Sequence, residues 1–172
     1  MANRVNMAGQ SPSEPPRGAS PLFLREPEIR RGIELLYFGY SHLTRAIDDL
    51  LASEKLGRAH HRALYFIARQ PDLTVGDLLA ILAITKQSLG RILGDLTERE
   101  LVETRPGDRD RRQKLLRLTP AGRTLEAALF EALREKMSAA YSSAGQEAVG
   151  GFWAVLEGLV PDGERRRLRE PR

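Results

Sequence analysis

A chain of 172 residues, 41% of them hydrophobic, is long enough for one folded domain with short tails. It contains no cysteine, which excludes disulfides, thiolate metal sites and redox sensing through a cysteine. Its net charge of +4 and its pI of about 9.7 favour a polyanionic partner without requiring one.

Residues 1–26 carry four prolines among serine, glycine and alanine, and we predict a disordered arm there. The arm lacks the apolar run of a signal peptide. No stretch of the sequence approaches the roughly 20 apolar residues that span a bilayer. We therefore expect a cytoplasmic protein with no membrane partner.

From about Glu28 to Ser53, apolar residues recur at helical spacing and predict one long helix. Aromatic residues widen the apolar stripe in its middle, which indicates burial against more than one partner. Gly57 marks a break, and residues 58–69 predict a second helix that Pro71 ends.

The stretch 73–99 has the pattern of a helix-turn-helix. Thr74 and Asp77 resemble a capping box, and leucines at helical spacing follow them. A short break leads to Thr85, the next candidate N-cap. A second helix ending near Arg99 follows, and its predicted buried stripe comprises Leu89, Ile92, Leu93 and Leu96.

The outward face of this second helix presents a cation, an amide and a guanidinium, contributed by Lys86, Gln87 and Arg91. Such groups hydrogen-bond base edges in a major groove, where arginine suits guanine and glutamine suits adenine. Glycines at 90 and 94 leave room for close approach. Taken alone, the same face also fits an ordinary solvated helix.

Residues 101–105 and 114–119 alternate as the two strands of a hairpin, and an arginine-rich loop joins them. A charge run is usually a solvated surface. Here it lies at the tip of a hairpin directly after a candidate recognition helix, which favours a DNA-contacting wing. The cations of this segment are Arg105, Arg109, Arg111, Arg112, Lys114 and Arg117.

Thr119 and Pro120 predict the start of a further helix that ends between Ser142 and Gly145. Residues 147–160 predict a last helix, and its apolar side chains would be unusually exposed on a monomer. A large apolar patch on a small protein usually marks an interface, so we expect a homodimer. The basic tail, residues 161–172, is predicted to be unstructured.

No pattern of residues predicts a metal site, a cofactor or a catalytic constellation. His60 and His61 are adjacent, so on a helix they point about 100° apart. Satisfied interior or interface imidazoles are the expected role of the histidines. A winged helix that binds proteins ranks second to a DNA-binding protein, because that alternative predicts an apolar or acidic recognition face. An enzyme ranks third.

The segments "TVGDLLAILAITKQSLGRILGDLTERELVETR" and "DRDRRQKLLRLTPAGR" resemble the MarR family of winged-helix transcriptional regulators. The segments "RRGIELLYFGY" and "GRAHHRALYFIARQP" resemble its PetP-like subgroup. The resemblance implies a mainly α fold with a small β-hairpin wing. It divides the chain into a winged helix-turn-helix lobe, residues 58–119, and N- and C-terminal dimerisation helices, residues 27–56 and 120–160.

The family carries an aspartate, any residue and an arginine at its wing tip, matched here by residues 110–112. The resemblance implies that Arg112 enters the minor groove and that Asp110 holds its guanidinium. It also implies a repressor that binds a pseudo-palindromic operator as a homodimer. The predicted DNA-binding residues are Thr85, Lys86, Gln87, Ser88, Arg91, Arg105, Arg109, Asp110, Arg111, Arg112 and Lys114.

Members of the family bind small anionic or phenolic effectors between the DNA-binding lobe and the dimer helices. The resemblance therefore makes Tyr37, His42 and Tyr65 candidates for an effector site. The alternative is that these three residues simply belong to the core or to the dimer interface.

Overall fold

The computed structural model describes residues 20–107 and 111–169, with side chains as far as Arg165. The chain divides into two units between Gly39 and Tyr40. The fold is mainly helical with a three-stranded antiparallel sheet, which confirms the predicted fold class. No helix within the described residues is both long and apolar enough to cross a membrane.

The N-terminal unit contains a 3-10 turn, Pro21–Leu24, and most of helix α1, Glu26–Arg45. These elements begin inside the predicted arm; residues 1–19 of that arm lie outside the described residues. Leu22, Phe23 and Leu24 are exposed. The apolar stripe of α1 within this unit is also exposed, and it includes Ile29, Ile33 and Leu36.

The prediction of one continuous helix from Glu28 to Ser53 is wrong, because α1 ends at Arg45 and a new helix, α2, spans Asp48–Ser53. The Thr44 hydroxyl donates to the carbonyls of Tyr40 and Ser41, at 3.0 and 3.1 Å. Such bonds from a threonine side chain compete with the regular helical pattern near the end of α1. Ile47, which lies between α1 and α2, is fully buried in the hydrophobic core.

The DNA-binding lobe predicted from the sequence is built from helices α3 (Arg58–Arg69), α4 (Val75–Leu82) and α5 (Lys86–Glu98). A three-stranded sheet accompanies them. Its strands are β1 (Leu73–Thr74), β2 (Val102–Pro106) and β3 (Lys114–Leu118), with β3 in the centre. The helices and the sheet share one core that includes Leu64, Leu78, Leu89, Leu96 and Leu116.

The strand β1 is absent from the sequence prediction because two residues are too few to show a periodic pattern. Its pairing is long-range: Leu73 lies opposite Leu116 in an antiparallel register. On the other side of β3, Thr104 lies opposite the same Leu116. Strand β3, which belongs to the predicted wing, is therefore hydrogen-bonded to β1 on one side and to β2 on the other.

Within the described residues, three helices follow the sheet: α6 (Pro120–Ala144), α7 (Gln146–Leu159) and α8 (Asp162–Arg169). The Thr119 side chain caps α6 by accepting from the backbone N–H of Gly122 at 3.0 Å, as the sequence predicted. Leu125 and Leu129 of α6 join the core of the lobe. The prediction of an unstructured tail is wrong for residues 162–169, because an acidic first turn follows Pro161 and starts α8.

Candidate nucleic-acid interface

Helix α5 is the candidate recognition helix, and its start is defined by two hydroxyl groups. The Thr85 hydroxyl accepts from the backbone N–H of Ser88 at 3.1 Å. The two side-chain oxygens lie 2.8 Å apart and share a further hydrogen bond. These two predicted site residues therefore hold the N-terminus of the helix in position. A helix N-terminus also favours a phosphate group through its free N–H groups.

One face of α5 is buried and the opposite face is exposed. Leu89, Ile92 and Leu96 pack into the core, while Leu93 is only half-buried. Lys86, Gln87 and Arg91 are exposed on the outward face. Among the described residues, none of these three side chains forms a hydrogen bond or an ion pair. All three are thus available to an external polar partner.

Gly90 lies on the same exposed face, and no atom of the described residues outside its own helix lies within 4 Å of a Cβ built there. A glycine in a helix interior costs about 0.5–1 kcal/mol relative to alanine. We therefore expect Gly90→Ala to raise the free energy of unfolding by about that amount in urea denaturation.

The same substitution should weaken binding to a specific duplex about tenfold, or about 1.4 kcal/mol, because the methyl group would stand between helix and DNA. Anisotropy titration would measure this. Gly163→Ala on α8 provides the matched control, since no described neighbour lies within 4 Å there either. Equal DNA affinity of Gly90→Ala and wild type would contradict close approach at this position.

The wing consists of β2, β3 and the loop between them. The N–H of Gly107 donates to the carbonyl of Gln113 at 2.9 Å and extends the pairing past the strand ends. Arg105, Arg111, Arg112 and Lys114 are exposed on this hairpin. Two predicted site residues, Arg109 and Asp110, lie outside the described residues.

Two wing arginines are engaged by acidic neighbours. Arg105 forms an ion pair with Glu103 at 2.7 Å on the same strand. Arg117 donates two hydrogen bonds, both of 2.5 Å, to the carboxylate of Asp72. These bonds hold the pKa of Asp72 below its usual range. Arg117 therefore fastens β3 to the loop between α3 and β1.

Sequence reasoning missed a group of side chains that hold the helix-turn-helix in place. Asp72 and Arg117 are one such pair. Arg62 donates to the carbonyl of Leu82 at 3.0 Å, at the end of α4. His60 reaches Asp95 on α5, with Nε2 and Oδ2 3.0 Å apart. No local pattern could reveal these contacts, because they join residues 20 to 45 positions apart.

The three histidines occupy different environments. His60 is bonded as described above, and His42 is exposed on α1. His61 is buried, and among the described residues its Nε2 atom has no hydrogen-bond partner. The prediction that interior histidines are satisfied is therefore wrong for this atom. No group of three candidate ligands in the described parts of the chain could hold a metal ion.

Burial lowers the pKa of His61. The unfolded chain, where histidine titrates near pH 6.5, therefore binds a proton more readily than the folded chain does. We expect the stability to be fully present above about pH 6.5 and to decline as the pH falls below it, by at most about 1.4 kcal/mol per pH unit. Urea denaturation from pH 7.5 to 5.0 would measure this decline.

His61→Phe should remove this part of the pH dependence, because phenylalanine fills the site without a proton-binding nitrogen. The comparison with wild type at each pH cancels the contributions of other groups. Parallel stability profiles for wild type and variant would show that His61 does not contribute.

The structure places the three candidate effector residues without testing their role. Tyr37 lies in the N-terminal unit and is 71% exposed. In the second unit, Tyr65 is half-buried on α3, and its ring packs against the rings of His61 and Phe66. His42 is exposed. Effector binding by these residues stays a prediction.

Comparison with known proteins agrees with this geometry. The model of the MarR family matches residues 55–113, which span the helix-turn-helix and most of the wing. The HTH-type transcriptional regulator PetP of Rhodobacter capsulatus is 47% identical over 154 residues, which cover 90% of this chain and 93% of that protein.

Crystal structures share the fold at low sequence identity, among them the following two. A MarR-family transcriptional regulator from Silicibacter pomeroyi superimposes with a TM-score of 0.65 at 20% identity, over 80% of this chain and 92% of that one. A mutant of MarR from E. coli, complexed with operator DNA, gives 0.63 at 21% identity, over 83% of this chain and all of that one. With 47% identity to PetP across nine-tenths of its length, the chain belongs to the MarR family of winged helix-turn-helix transcriptional regulators.

Proposed function

We propose that this regulator represses transcription as a homodimer that binds a pseudo-palindromic operator. Each subunit places α5 in a major groove and its wing over the flanking minor groove. One observation carries the proposal: the exposed face of α5 is polar and basic, and an arginine-rich hairpin follows it directly. The E. coli MarR mutant of the same fold was crystallised on operator DNA, which supports this mode of binding.

The residues of the interface have different roles in this proposal. Gln87 and Arg91 read base edges, because amide and guanidinium groups form bidentate hydrogen bonds with adenine and guanine respectively. Lys86 and the N-terminus of α5, capped by Thr85 and Ser88, contact phosphate. On the wing, the cations that neutralise phosphate are Arg105, Arg109, Arg111 and Lys114.

Arg112 has a separate role. A narrow minor groove has a strong negative potential that attracts an inserted arginine. We propose that Arg112 responds to this shape and so favours A·T-rich flanks, with Asp110 orienting its guanidinium. Because phosphate contacts release counterions, affinity should fall steeply with salt, with a log–log slope of about −0.9 for each phosphate neutralised.

The dimer is proposed from apolar surface that each unit leaves exposed. In the second unit, Phe152, Val155 and Leu159 form a stripe on α7, which buries no residue among those described. In the N-terminal unit, the stripe of α1 is likewise exposed. Surfaces of this kind usually mark interfaces. Two subunits would set their recognition helices about one DNA turn apart.

The test is fluorescence-anisotropy binding to the DNA upstream of the protein's own gene, beside a scrambled duplex, at low and near-physiological salt. We expect saturable binding that prefers the native duplex at the higher salt. Equal and salt-labile binding to both duplexes would contradict sequence-specific recognition. Failure to bind either duplex at low salt would favour the alternative of a protein-interaction module.

Variants in the same assay separate the roles. Arg91→Ala should cost about 1–3 kcal/mol at one base position, whereas a phosphate contact would weaken all sequences alike. Arg112→Ala should flatten the preference for A·T-rich flanks. Arg99→Ala is the matched control, because Arg99 is the C-cap residue of α5 and lies about 12 Å along the helix axis from Arg91.

A further inference from the structure

We propose that His60 is a positioning residue that holds the Asp95 carboxylate away from Arg91 and so leaves the Arg91 guanidinium to the DNA. The inference deepens the proposed function and rests on it, because it assumes that Arg91 reads a base. It assigns a role to a side chain on α3 that does not itself reach the recognition face.

The hydrogen bonds of His60 show which nitrogen of its neutral ring carries the hydrogen. The backbone N–H of Gly57 donates to Nδ1 at 3.1 Å, so Nδ1 acts as an acceptor. In the neutral ring the hydrogen then lies on Nε2, which donates to Oδ2 of Asp95 at 3.0 Å. The His60 side chain is only 17% exposed, whereas that of Asp95 is 55% exposed. A well-packed imidazole thus holds a more accessible carboxylate.

Arg91 and Asp95 are four residues apart on α5, and side chains at this spacing are neighbours on a helix surface. Opposite charges so placed attract one another. In the structure Asp95 bonds to His60, and Arg91 has no ion pair with any described residue. The Asp95 carboxylate therefore bonds to His60 of α3 and not to Arg91 of its own helix.

Elsewhere in this chain, arginines on helices do pair with acids of their own helix. Arg30 bonds to Glu26 four residues away, at 2.8 Å. Arg134 bonds to Glu131 three residues away. Neither acid has another described partner. In both of these pairs the acid precedes the arginine, whereas Asp95 follows Arg91, the order that gives the weaker attraction. We therefore expect that Asp95, once released by His60, would pair with Arg91 only part of the time.

An Arg91–Asp95 pair would oppose DNA binding in two ways. It would draw the guanidinium back along the helix, away from a base edge in the groove. It would also place a carboxylate closer to the phosphates, which carry the same charge. The hydrogen bond from His60 prevents both, and it ties the third turn of α5 to the start of α3.

The experiment measures operator affinity and base preference for His60→Ala, Asp95→Ala and the double variant. His60→Ala should weaken binding about two- to fourfold. In this variant Arg91 would be paired with Asp95 in part of the molecules, and only the molecules with an unpaired Arg91 would read the base. The loss should be confined to the base pair that Arg91 reads. Asp95→Ala should bind at least as tightly as wild type, and the double variant should recover the affinity that His60→Ala loses.

A purely structural role of His60 gives a different pattern. In that case the double variant would bind as weakly as His60→Ala, and the loss would be the same for every sequence. That result would overturn the inference. In an Arg91→Ala background, His60→Ala should cause no further loss, and a further loss would also overturn it.

Asp95→Asn guards against misfolding of the alanine variants, because the amide oxygen still accepts from His60 while the negative charge is gone. We expect wild-type affinity or better for this variant, and weaker binding would contradict the inference. A wild-type protein without operator preference, or Arg91→Ala without effect, would overturn the proposed function first. Retained operator preference without rescue in the double variant would overturn this inference alone.

Discussion

Val155→Asp is expected to convert a dimer into a monomer in sedimentation analysis. The Val155 side chain is 67% exposed on α7 and lies in one stripe with Phe152 and Leu159. In the dimer the aspartate would be a buried carboxylate without a partner, which is strongly unfavourable. In the separate subunit it would be exposed to solvent, as Val155 is, and would cost little. The substitution should therefore disrupt the interface while leaving the subunit folded.

Operator binding should suffer strongly from the same change. Two linked half-site contacts exceed the affinity of one by about 100- to 10,000-fold. We expect a loss of this size on the full operator and little change on a single half-site. Unaltered sedimentation of Val155→Asp as a dimer would refute the assignment of α7 to the interface.

Trp153 is a larger exposed apolar residue of α7, but its contacts make it a less suitable site than Val155 for this substitution. Trp153 Nε1 donates to the hydroxyl of Tyr141 at 2.9 Å, and the two rings pack edge to face. A change at Trp153 would therefore disturb the packing of α7 on α6 as well as any interface. Glu147→Gln, an exposed change in the first turn of α7, provides the control.

Gly122→Ala is expected to lower the free energy of unfolding by about 1–3 kcal/mol, the usual cost of overpacking a core. A Cβ at this position would lie 2.0 Å from the carbonyl oxygen of Leu101. That oxygen also accepts from the N–H of Thr119 at 3.1 Å, so it belongs to the contact between α6 and the hairpin. A backbone atom cannot move aside as a side chain can.

Urea denaturation of Gly122→Ala beside Gly90→Ala would measure the effect. The two substitutions are chemically identical and both lie in helices, yet we expect opposite signs. The close approach of Leu101 to Gly122 has no counterpart at Gly90. A Gly122→Ala protein as stable as wild type would show that α6 can shift relative to the hairpin at little cost.

The predictable parts of the fold are those with local causes. The start of α5 follows from the hydroxyl of Thr85, and its buried face follows from leucines three and four residues apart. The hairpin follows from alternation and turn residues, and its strands agree with the prediction to within a residue. Family membership likewise confirms a transcriptional regulator rather than an enzyme.

The parts that sequence reasoning missed depend on contacts between distant residues. The break after α1 reflects the place of Ile47 in the core, and periodicity alone cannot show on which helix that place will fall. Strand β1 exists only because β3 pairs with it. His60 and Asp95 each look like surface residues in the sequence, and only folding brings them together across 35 positions.

The position of β3 at the centre of the sheet has a consequence for the proposed complex. Its backbone bonds to β1 and β2, and the pair between Asp72 and Arg117, join the wing to the segment that leads into α4. These bonds therefore fix the distance between α5, which is proposed to read the bases, and the hairpin that is proposed to contact the flanking DNA. One base pair inserted between a half-site and its flank would rotate the flank by about 34°. The wing of that subunit would then be out of register with the flanking minor groove.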